Sequence, residues 1–200
     1  ENELEDIIAI RGHAVNARGA MERLGIAERP VVVNELIGAV GHDNGAVAVQ
    51  VMAEVERGQL RGTARACWDE PTGSTCWNQS LDGLLTDGEP RSVYWAYAWY
   101  AQMGGTVLYT ASYRRPDEEL YLDGVATTDG DRLLVLAHTL SPVAEGEVRV
   151  VAPPDWLIQG GGVAVRQRYL PHSGTDPAPE PTWLGAFTLP VEDGEIHVPL

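Results

Sequence analysis

Lysine is absent from this sequence of 200 residues, and all fourteen of its basic residues are arginine. Asp and Glu outnumber them at 29, so the formal net charge is −15. Nucleic acids and anionic membrane surfaces both require a basic footprint on the proteins that bind them. The charge therefore argues against both as partners. It leaves open a solvated acidic surface that maintains solubility or a surface for a cationic partner.

Cysteine is scarce as well, since Cys67 and Cys76 are the only two in the chain. They could close a small disulfide loop in an oxidising compartment, or remain a buried thiol on a strand and a second thiol in a loop. Their spacing does not suit a zinc site, and the five histidines are scattered without metal-ligand spacing. Neither a nucleophile elbow nor a phosphate-binding loop is present. The sequence therefore predicts no metal and no cofactor. A calcium site stays open as an alternative in so acidic a chain, although no EF-hand loop is present.

Long apolar runs are also missing, because none reaches the roughly 18 residues that span a bilayer. The start of the chain carries Glu1, Glu3, Glu5 and Asp6, where a secretory signal would be basic. A signal already removed from a precursor would leave the same start. The location is therefore open, with a secreted or cell-surface protein slightly favoured over a cytoplasmic one.

The first half of the chain alternates between helical and strand patterns. Apolar residues recur at three- and four-residue steps up to Gly25, and again from Val47 to Val55, with a stop near Gly58. Asp43-Asn44-Gly45 predicts a turn and an N-cap before the second of these helices. Between these helices, the Val-Val-Val run inside 29–38 predicts a strand buried on both faces, as in a parallel sheet. A second strand is expected at 63–68. A third helix is expected to begin at Pro90, because proline is favoured in the first helical turn.

After Gly105 the pattern changes to short strands separated by Gly and Pro, which indicates a β-sandwich. Asp129-Gly130 predicts a tight turn between two of these strands. The proline-rich stretch 171–181 is expected to be a long loop. We therefore expect two domains, residues 1–104 and 105–200.

A family resemblance rests on three of these segments. Residues 29–38, then Ala66-Cys67-Trp68, then 84–91 resemble the end of a clan A glycoside hydrolase. Members with an appended β-sandwich, such as glycoside hydrolase family 39, are the most similar, and 166–173 resembles a stretch of that appended domain. The resemblance implies an α/β plus all-β fold class. Residues 1–104 would hold the last two β/α units of an incomplete TIM barrel, whose remainder comes from missing N-terminal residues, and residues 105–200 would form the β-sandwich.

The resemblance also implies a reaction. A retaining glycosidase uses one carboxylate as nucleophile and one carboxylic acid as proton donor, about 5 Å apart. Glu35, at the end of the first predicted strand, matches the family nucleophile on barrel strand seven. The acid/base residue would then be missing from this chain, although Asp69 and Glu70 are possible local partners. Trp68 matches the tryptophan beneath the sugar ring. The implied partner is an oligosaccharide or polysaccharide.

Further residues are candidates for substrate binding by their place in the chain. Asn34 precedes the predicted nucleophile, His42 lies in the loop after it, and Trp77 and Asn78 lie in the loop after the second strand. Each has a structural alternative. Asn34 could instead hold the loop geometry, and His42 could form a cap or turn. Trp68 could be a core aromatic, and Glu35 could be a surface acid at a strand end.

Two alternatives to an enzyme stay open. The chain could be a carbohydrate-binding or structural module, in which aromatics of the β-rich half, such as Trp156 and Trp183, stack on sugar. It could also be an inactive remnant that acts as the partner subunit of an enzyme.

Overall fold

The structure, a computed structural model, describes residues 3–34, 41, 43–65, 81, 83–112, 122–140 and 146–200. These contain three α-helices: α1 (Glu3–Arg23), α2 (Gly45–Arg57) and α3 (Ser92–Tyr100). The strands are β1 (Val32–Val33), β2 (Gly62–Thr63), β3 (Leu85–Thr86), β4 (Glu89–Pro90), β5 (Thr106–Leu108), β6 (Leu122–Thr128), β7 (Leu133–Thr139), β8 (Glu147–Val151), β9 (Gly162–Tyr169), β10 (Thr182–Pro190) and β11 (Glu195–Pro199). A 3-10 helix spans Asp155–Leu157. Of the helices described, none has the length and apolar character needed to cross a membrane.

The C-terminal ends of α1 and α2 follow the glycine signals in the sequence. Gly25 adopts a left-handed φ of +65° after α1. This conformation lets the N–H of Ile26 donate to the carbonyl of Met21 at 2.9 Å, which satisfies a carbonyl at the helix end. α2 ends directly before Gly58. The predictions of helix ends at these two glycines are confirmed.

The N-terminal end of α2 is capped where the sequence predicted, whereas α3 begins two residues later than predicted. The side-chain oxygen of Asn44 accepts hydrogen bonds from the N–H groups of Ala46 (2.9 Å) and Val47 (3.3 Å), which confirms the predicted N-cap. The prediction that Pro90 begins the third helix is wrong. Pro90 belongs to strand β4 of a small hairpin, and the helix begins at Ser92.

Most of the sheet structure is antiparallel. β5, β6 and β7 form a three-stranded sheet in that order, and the predicted turn between β6 and β7 is confirmed, with Gly130 at φ +94°. β9 pairs with β10 along their whole length, and β8 pairs with β11. The described strands after residue 105 form one three-stranded sheet and two two-stranded ribbons. The predicted fold class, with a β-sandwich in this half of the chain, is therefore wrong.

The predicted incomplete TIM barrel is wrong. Within the described ranges, β1 and β2 are the one parallel pair; each is two residues long, and they pair only with each other. Val32 is 60% exposed, so the Val-Val-Val run is not a strand buried on both faces. A barrel also requires helices that cover a parallel sheet, and here α2 packs against the antiparallel strands β6 and β7.

That packing forms the main core. The buried apolar residues come from α2, α3, β6 and β7, and they are Ala48, Val49, Met52, Ala53, Val93, Ala96, Val125 and Leu136. Full burial of one such valine or methionine contributes about 1.5–3 kcal/mol. A second cluster joins α1 to the opposite side of α2 through Ile7, Ile10, Val51 and Val55. Since the main core draws on residues before and after position 104, the helices and the three-stranded sheet stabilise one another.

The proline-rich loop 171–181 adds a further contact between the early and late parts of the chain. Arg91, the N-cap residue of α3, makes no capping hydrogen bond through its side chain. Instead the N–H of Ser92 donates to Oγ of Ser173 at 3.1 Å, and the N–H of Ser173 donates to Oγ of Ser92 at 3.3 Å. The N–H of Ala178 donates to the carbonyl of Pro90 at 2.7 Å. The loop therefore caps the start of α3 from a distant part of the sequence.

Candidate functional site

Most of the residues predicted to form a site lie outside the described part of the chain. These are Glu35, His42, Trp68, Trp77 and Asn78, together with the alternatives Asp69 and Glu70 and both cysteines. Asn34 is described. It is exposed and forms a bend directly after β1.

The parallel pairing of β1 and β2 determines which segments meet. The carboxyl ends of parallel strands lie at the same edge of a sheet. The pairing continues one residue past the strands, because the N–H of Ala64 donates to the carbonyl of Val33 at 3.1 Å. Asn34, at the end of β1, and Arg65, two residues past β2, therefore lie at one edge, which we call the carboxyl edge.

Two arginines lie close to each other near the carboxyl edge, with the carboxylate of Asp43 near one of them. The guanidinium of Arg65 lies 5.7 Å from the centre of the Tyr97 ring, on α3. Arg91 is only 4% exposed; its Nε donates to Oγ1 of Thr86 at 2.7 Å, and its Nη1 is buried without a hydrogen-bond partner among the described residues. Burial lowers the pKa of Arg91, the charge of Asp43 raises it, and the charge of Arg65 lowers it further.

Such a pair of guanidinium groups favours a negative charge nearby, on a side chain or on a substrate. The sequence assigned no role to Arg65, which belongs to no recognisable motif, or to Arg91, which ends the 84–91 segment of the family resemblance. Arg91 could have attracted notice only as an arginine directly before a helix, a place where its charge opposes the helix dipole.

A separate, buried polar network lies between α2 and the three-stranded sheet. Arg57 donates through both terminal nitrogens to the carboxylate of Asp123, with Nη1 to Oδ2 at 2.7 Å, and also to Oε1 of Glu54 at 3.0 Å. Gln50 donates to Oδ2 of Asp123 at 3.2 Å. Nε2 of His138 lies 2.8 Å from Oε1 of Gln50, and since that oxygen can only accept, Nε2 carries the proton.

The network holds its members in defined charge states. Burial alone would raise the pKa of Asp123, but hydrogen bonds from Arg57 and from the N–H of Gly124 outweigh it and hold that pKa below its usual range. The hydrogen bond to Asp123 raises the pKa of Arg57. Burial lowers the pKa of His138 to about 4, so this imidazole is neutral at pH 7. The side chain of Asp123 is 1% exposed and already fully engaged, so the network supports the fold rather than binding a substrate.

The described residues offer no metal site, but they include two exposed tryptophans on the β-rich half. Among the described residues, no three His, Cys, Asp or Glu side chains converge in a way that could hold a metal ion. Trp156 is 40% exposed and Trp183 is 50% exposed. The guanidinium of Arg168, on the neighbouring strand, lies 5.4 Å from the centre of the Trp183 ring.

These observations define an α+β protein. Helix α2 packs on a three-stranded antiparallel sheet, and α1 and α3 pack on α2. A short parallel β–α–β unit presents an arginine-bearing edge. The fold is similar to that of N2152, a protein from Neocallimastix frontalis, with a TM-score of 0.77 and 20% sequence identity. The match covers 97% of this chain and 47% of N2152, so this chain spans about half the length of the structure that it matches. At this identity the likeness shows the fold alone. No protein-family model matches the chain, and no curated protein does.

We predict that Arg57→Met lowers the free energy of unfolding by about 3–5 kcal/mol, because it leaves the buried carboxylates of Asp123 and Glu54 without their cation. Urea denaturation followed by tryptophan fluorescence measures this. Arg132→Met is the matched control. Its ion pair with Asp129 is exposed, with 63% and 37% of the two side chains accessible, and its loss should cost less than about 1 kcal/mol. Similar losses in the two variants would contradict a structural role for the buried pair.

Stability should also fall in mild acid. The pKa of His138 is lowered from 6.5 to about 4 in the folded protein, so the unfolded chain binds more protons between these values. Its contribution is fully present above pH 6.5 and is lost as the pH falls, by roughly 3 kcal/mol when the pH reaches 4. The lowered pKa of Asp123 adds a further loss below pH 3.8.

The urea midpoint measured from pH 8 to pH 4 checks this pH dependence. His138→Gln keeps a donor for Gln50 but cannot titrate, so it should flatten the slope between pH 6.5 and 4. His197→Gln, at a side chain that is 43% exposed, is the control and should retain the slope. An unchanged slope in His138→Gln would assign the acid sensitivity to other groups.

Proposed function

We propose that this chain is part of a retaining glycoside hydrolase in which Glu35 is the nucleophile. The observation that carries the proposal is the parallel pairing of β1 and β2. It brings Asn34, the residue before Glu35, to the same edge as Arg65, which precedes the segment with Trp68 by three positions. In the sequence, Glu35 and the segment with Trp68, to which the family resemblance assigns catalysis and sugar binding, thus come shortly after two strand ends that lie together.

The charge at the carboxyl edge supports the nucleophilic role. A nucleophilic carboxylate must be ionised at neutral pH, and nearby arginines favour the ionised form. Arg65 and the buried Arg91 supply two such positive charges on the described side of this edge.

The proposed reaction has two steps. A carboxylate oxygen of Glu35 forms a bond to the anomeric carbon while the bond to the glycosidic oxygen breaks, and that oxygen takes a proton from a second carboxylic acid. Water then attacks the anomeric carbon, gives its proton to the same second group, and releases Glu35. The second carboxylic acid is assigned to a part of the protein outside this chain, as the family resemblance implies.

The remaining candidates are assigned to sugar binding. Trp68 packs beneath the ring of the reacting sugar, since aromatic faces stack well on the apolar faces of sugars. Asn34, His42, Trp77 and Asn78 offer hydrogen bonds or further contact area to its hydroxyl groups. An oligosaccharide or polysaccharide is the proposed substrate.

We predict that Glu35→Gln in the full-length protein lowers kcat on aryl glycosides at least 1,000-fold, because removal of the nucleophile eliminates the first step, while the circular dichroism spectrum is unchanged. Glu180→Gln is the control, since that glutamate is exposed and lies in the loop 171–181. Addition of azide to Glu35→Gly should restore turnover with inverted configuration, because the small anion replaces the carboxylate. Wild-type rates in Glu35→Gln would remove this residue from the mechanism.

A second candidate function is sugar binding without turnover, and Trp183 favours it. This indole is half exposed, and Arg168 on the paired strand β9 lies against its ring. The guanidinium holds the ring in place and leaves the rest of it accessible, which suits stacking on a saccharide.

For this candidate we expect oligosaccharide titration to quench the tryptophan fluorescence of the full-length protein, and Trp183→Ala to weaken the apparent affinity about tenfold, as expected for a stacking contact worth 1–1.5 kcal/mol. Trp156→Ala tests the other exposed indole in the same assay. Binding that neither substitution alters would exclude this surface.

A further inference from the structure

A cleft of about 820 Å³ lies at the opposite edge of the parallel pair, where β1 and β2 begin. Arg29 and Pro30, just before β1, line it together with Arg61, just before β2. The other walls come from α1, from the C-terminal end of α2 and from the segment around β5. The cleft is thus separate from the carboxyl edge, to which Glu35 is assigned.

The C-terminal end of α2 fixes the walls of the cleft. Arg18, on α1, donates to the carbonyl of Gly58 at 2.7 Å and to that of Gln59 at 2.5 Å, which satisfies carbonyls that the helix end leaves free. On the other side, Arg57 donates to Oγ1 of Thr110, just past β5, at 3.0 Å. The cleft therefore lies between elements that are joined by hydrogen bonds and is preformed.

The lining of the cleft is positive in a protein that is strongly negative. Five of the fourteen arginines line it, namely Arg11, Arg18, Arg29, Arg57 and Arg61. Of the acidic residues that the structure describes, two line it, Glu28 and Glu56. Arg57 is paired with Asp123 and Glu54, so the positive character of the lining comes mainly from Arg11, Arg29 and Arg61, in a chain whose net charge is −15. A cleft lined by one sign of charge focuses its field and concentrates counter-ions of the opposite sign.

The two acidic residues are already engaged. Glu28 forms an ion pair with Arg18 at 3.3 Å, and Glu56 accepts a hydrogen bond from the hydroxyl of Tyr100. Burial and this hydrogen bond raise the pKa of Tyr100, so the phenol stays a donor. Glu28 therefore neutralises Arg18, whereas Glu56 keeps its negative charge and is held at the wall of the cleft by Tyr100.

Three of the arginines remain available. Arg11, Arg29 and Arg61 are exposed and form no ion pair with any residue that the structure describes. The backbone N–H of Arg61 donates to the carbonyl of Val31 at 2.9 Å, which fixes the start of this side chain beside residues 29 and 30. Guanidinium groups bind carboxylate and phosphate oxygens in pairs of parallel hydrogen bonds.

The remaining features indicate the size and type of the ligand. The volume falls in the range of about 300–1,000 Å³ that is usual for small-molecule sites. Tyr109 lines the cleft and is 93% exposed, so its ring offers a face for stacking. We propose that this cleft binds a sugar-sized anion, a saccharide that bears a carboxylate or a phosphate, through Arg11, Arg29 and Arg61.

Isothermal titration of the full-length protein with glucuronate, glucose 6-phosphate, inorganic phosphate and neutral glucose tests the proposal. We expect at least one of the two sugar anions to bind, glucose to bind at least tenfold more weakly, and affinity to fall as sodium chloride is raised. Arg61→Gln and Arg11→Gln should each weaken anion binding about tenfold, as expected for loss of a charge-assisted hydrogen bond. Arg132→Gln, at an exposed arginine away from the cleft, should bind like the wild type.

The arms of this experiment separate the possible ligands. Preference for glucuronate over glucose 6-phosphate assigns a carboxylate, and the reverse assigns a phosphate. Binding of inorganic phosphate as tightly as the sugar phosphate would reduce the site to a simple oxyanion site and overturn the saccharide assignment. No binding of any anion, or equal affinity in wild type, Arg61→Gln and Arg11→Gln, would overturn the proposal as a whole. None of these outcomes depends on Glu35.

Discussion

The buried ion pair between Arg57 and Asp123 is the interaction on which the rest of the structure depends. The Asp123 side chain is 1% exposed, and a carboxylate in that environment is tolerated only when it is fully paired. Arg57 meets this requirement with two nitrogens, and Gln50 on the same helix contributes a third donor. Because these donors belong to α2 and the acceptor to β6, the helix can sit on the sheet in only one register. The apolar core then closes around that register.

The placement of α2 in turn determines both candidate sites. The helix connects β1 to β2, so the two strands run parallel and their ends meet at opposite edges of the pair. At the carboxyl edge, Asn34 lies with two arginines, one of which is buried and has a nitrogen without a hydrogen-bond partner among the residues that the structure describes. At the other edge, the C-terminal end of α2 forms one wall of the arginine-lined cleft. One helix thus positions a candidate catalytic edge and a candidate anion site.

The similarity to N2152 supports the overall architecture, since it extends over 97% of the chain at a TM-score of 0.77. At 20% identity it carries no information about a reaction. The glycosidase proposal therefore rests on the family resemblance around Glu35 and on the strand pairing beside it. It does not require a barrel, which the packing of α2 on an antiparallel sheet contradicts. The sugar-binding alternative rests on a different surface, and the two can be tested independently.

The sequence by itself determined the local features of this protein. Gly25 and Gly58 ended their helices, Asn44 capped α2, and Asp129-Gly130 formed the turn between two strands, because each of these depends on backbone conformation within a few residues. Only the tertiary structure decided how the elements meet. Arg57 and Asp123 are 66 positions apart, and no periodic pattern in the sequence indicates a contact between two residues so far apart. The exposure of Val32 could not be predicted from the sequence either, because burial depends on which element packs on a strand. Helix α2, which follows β1, packs on the sheet of β6 and β7 instead.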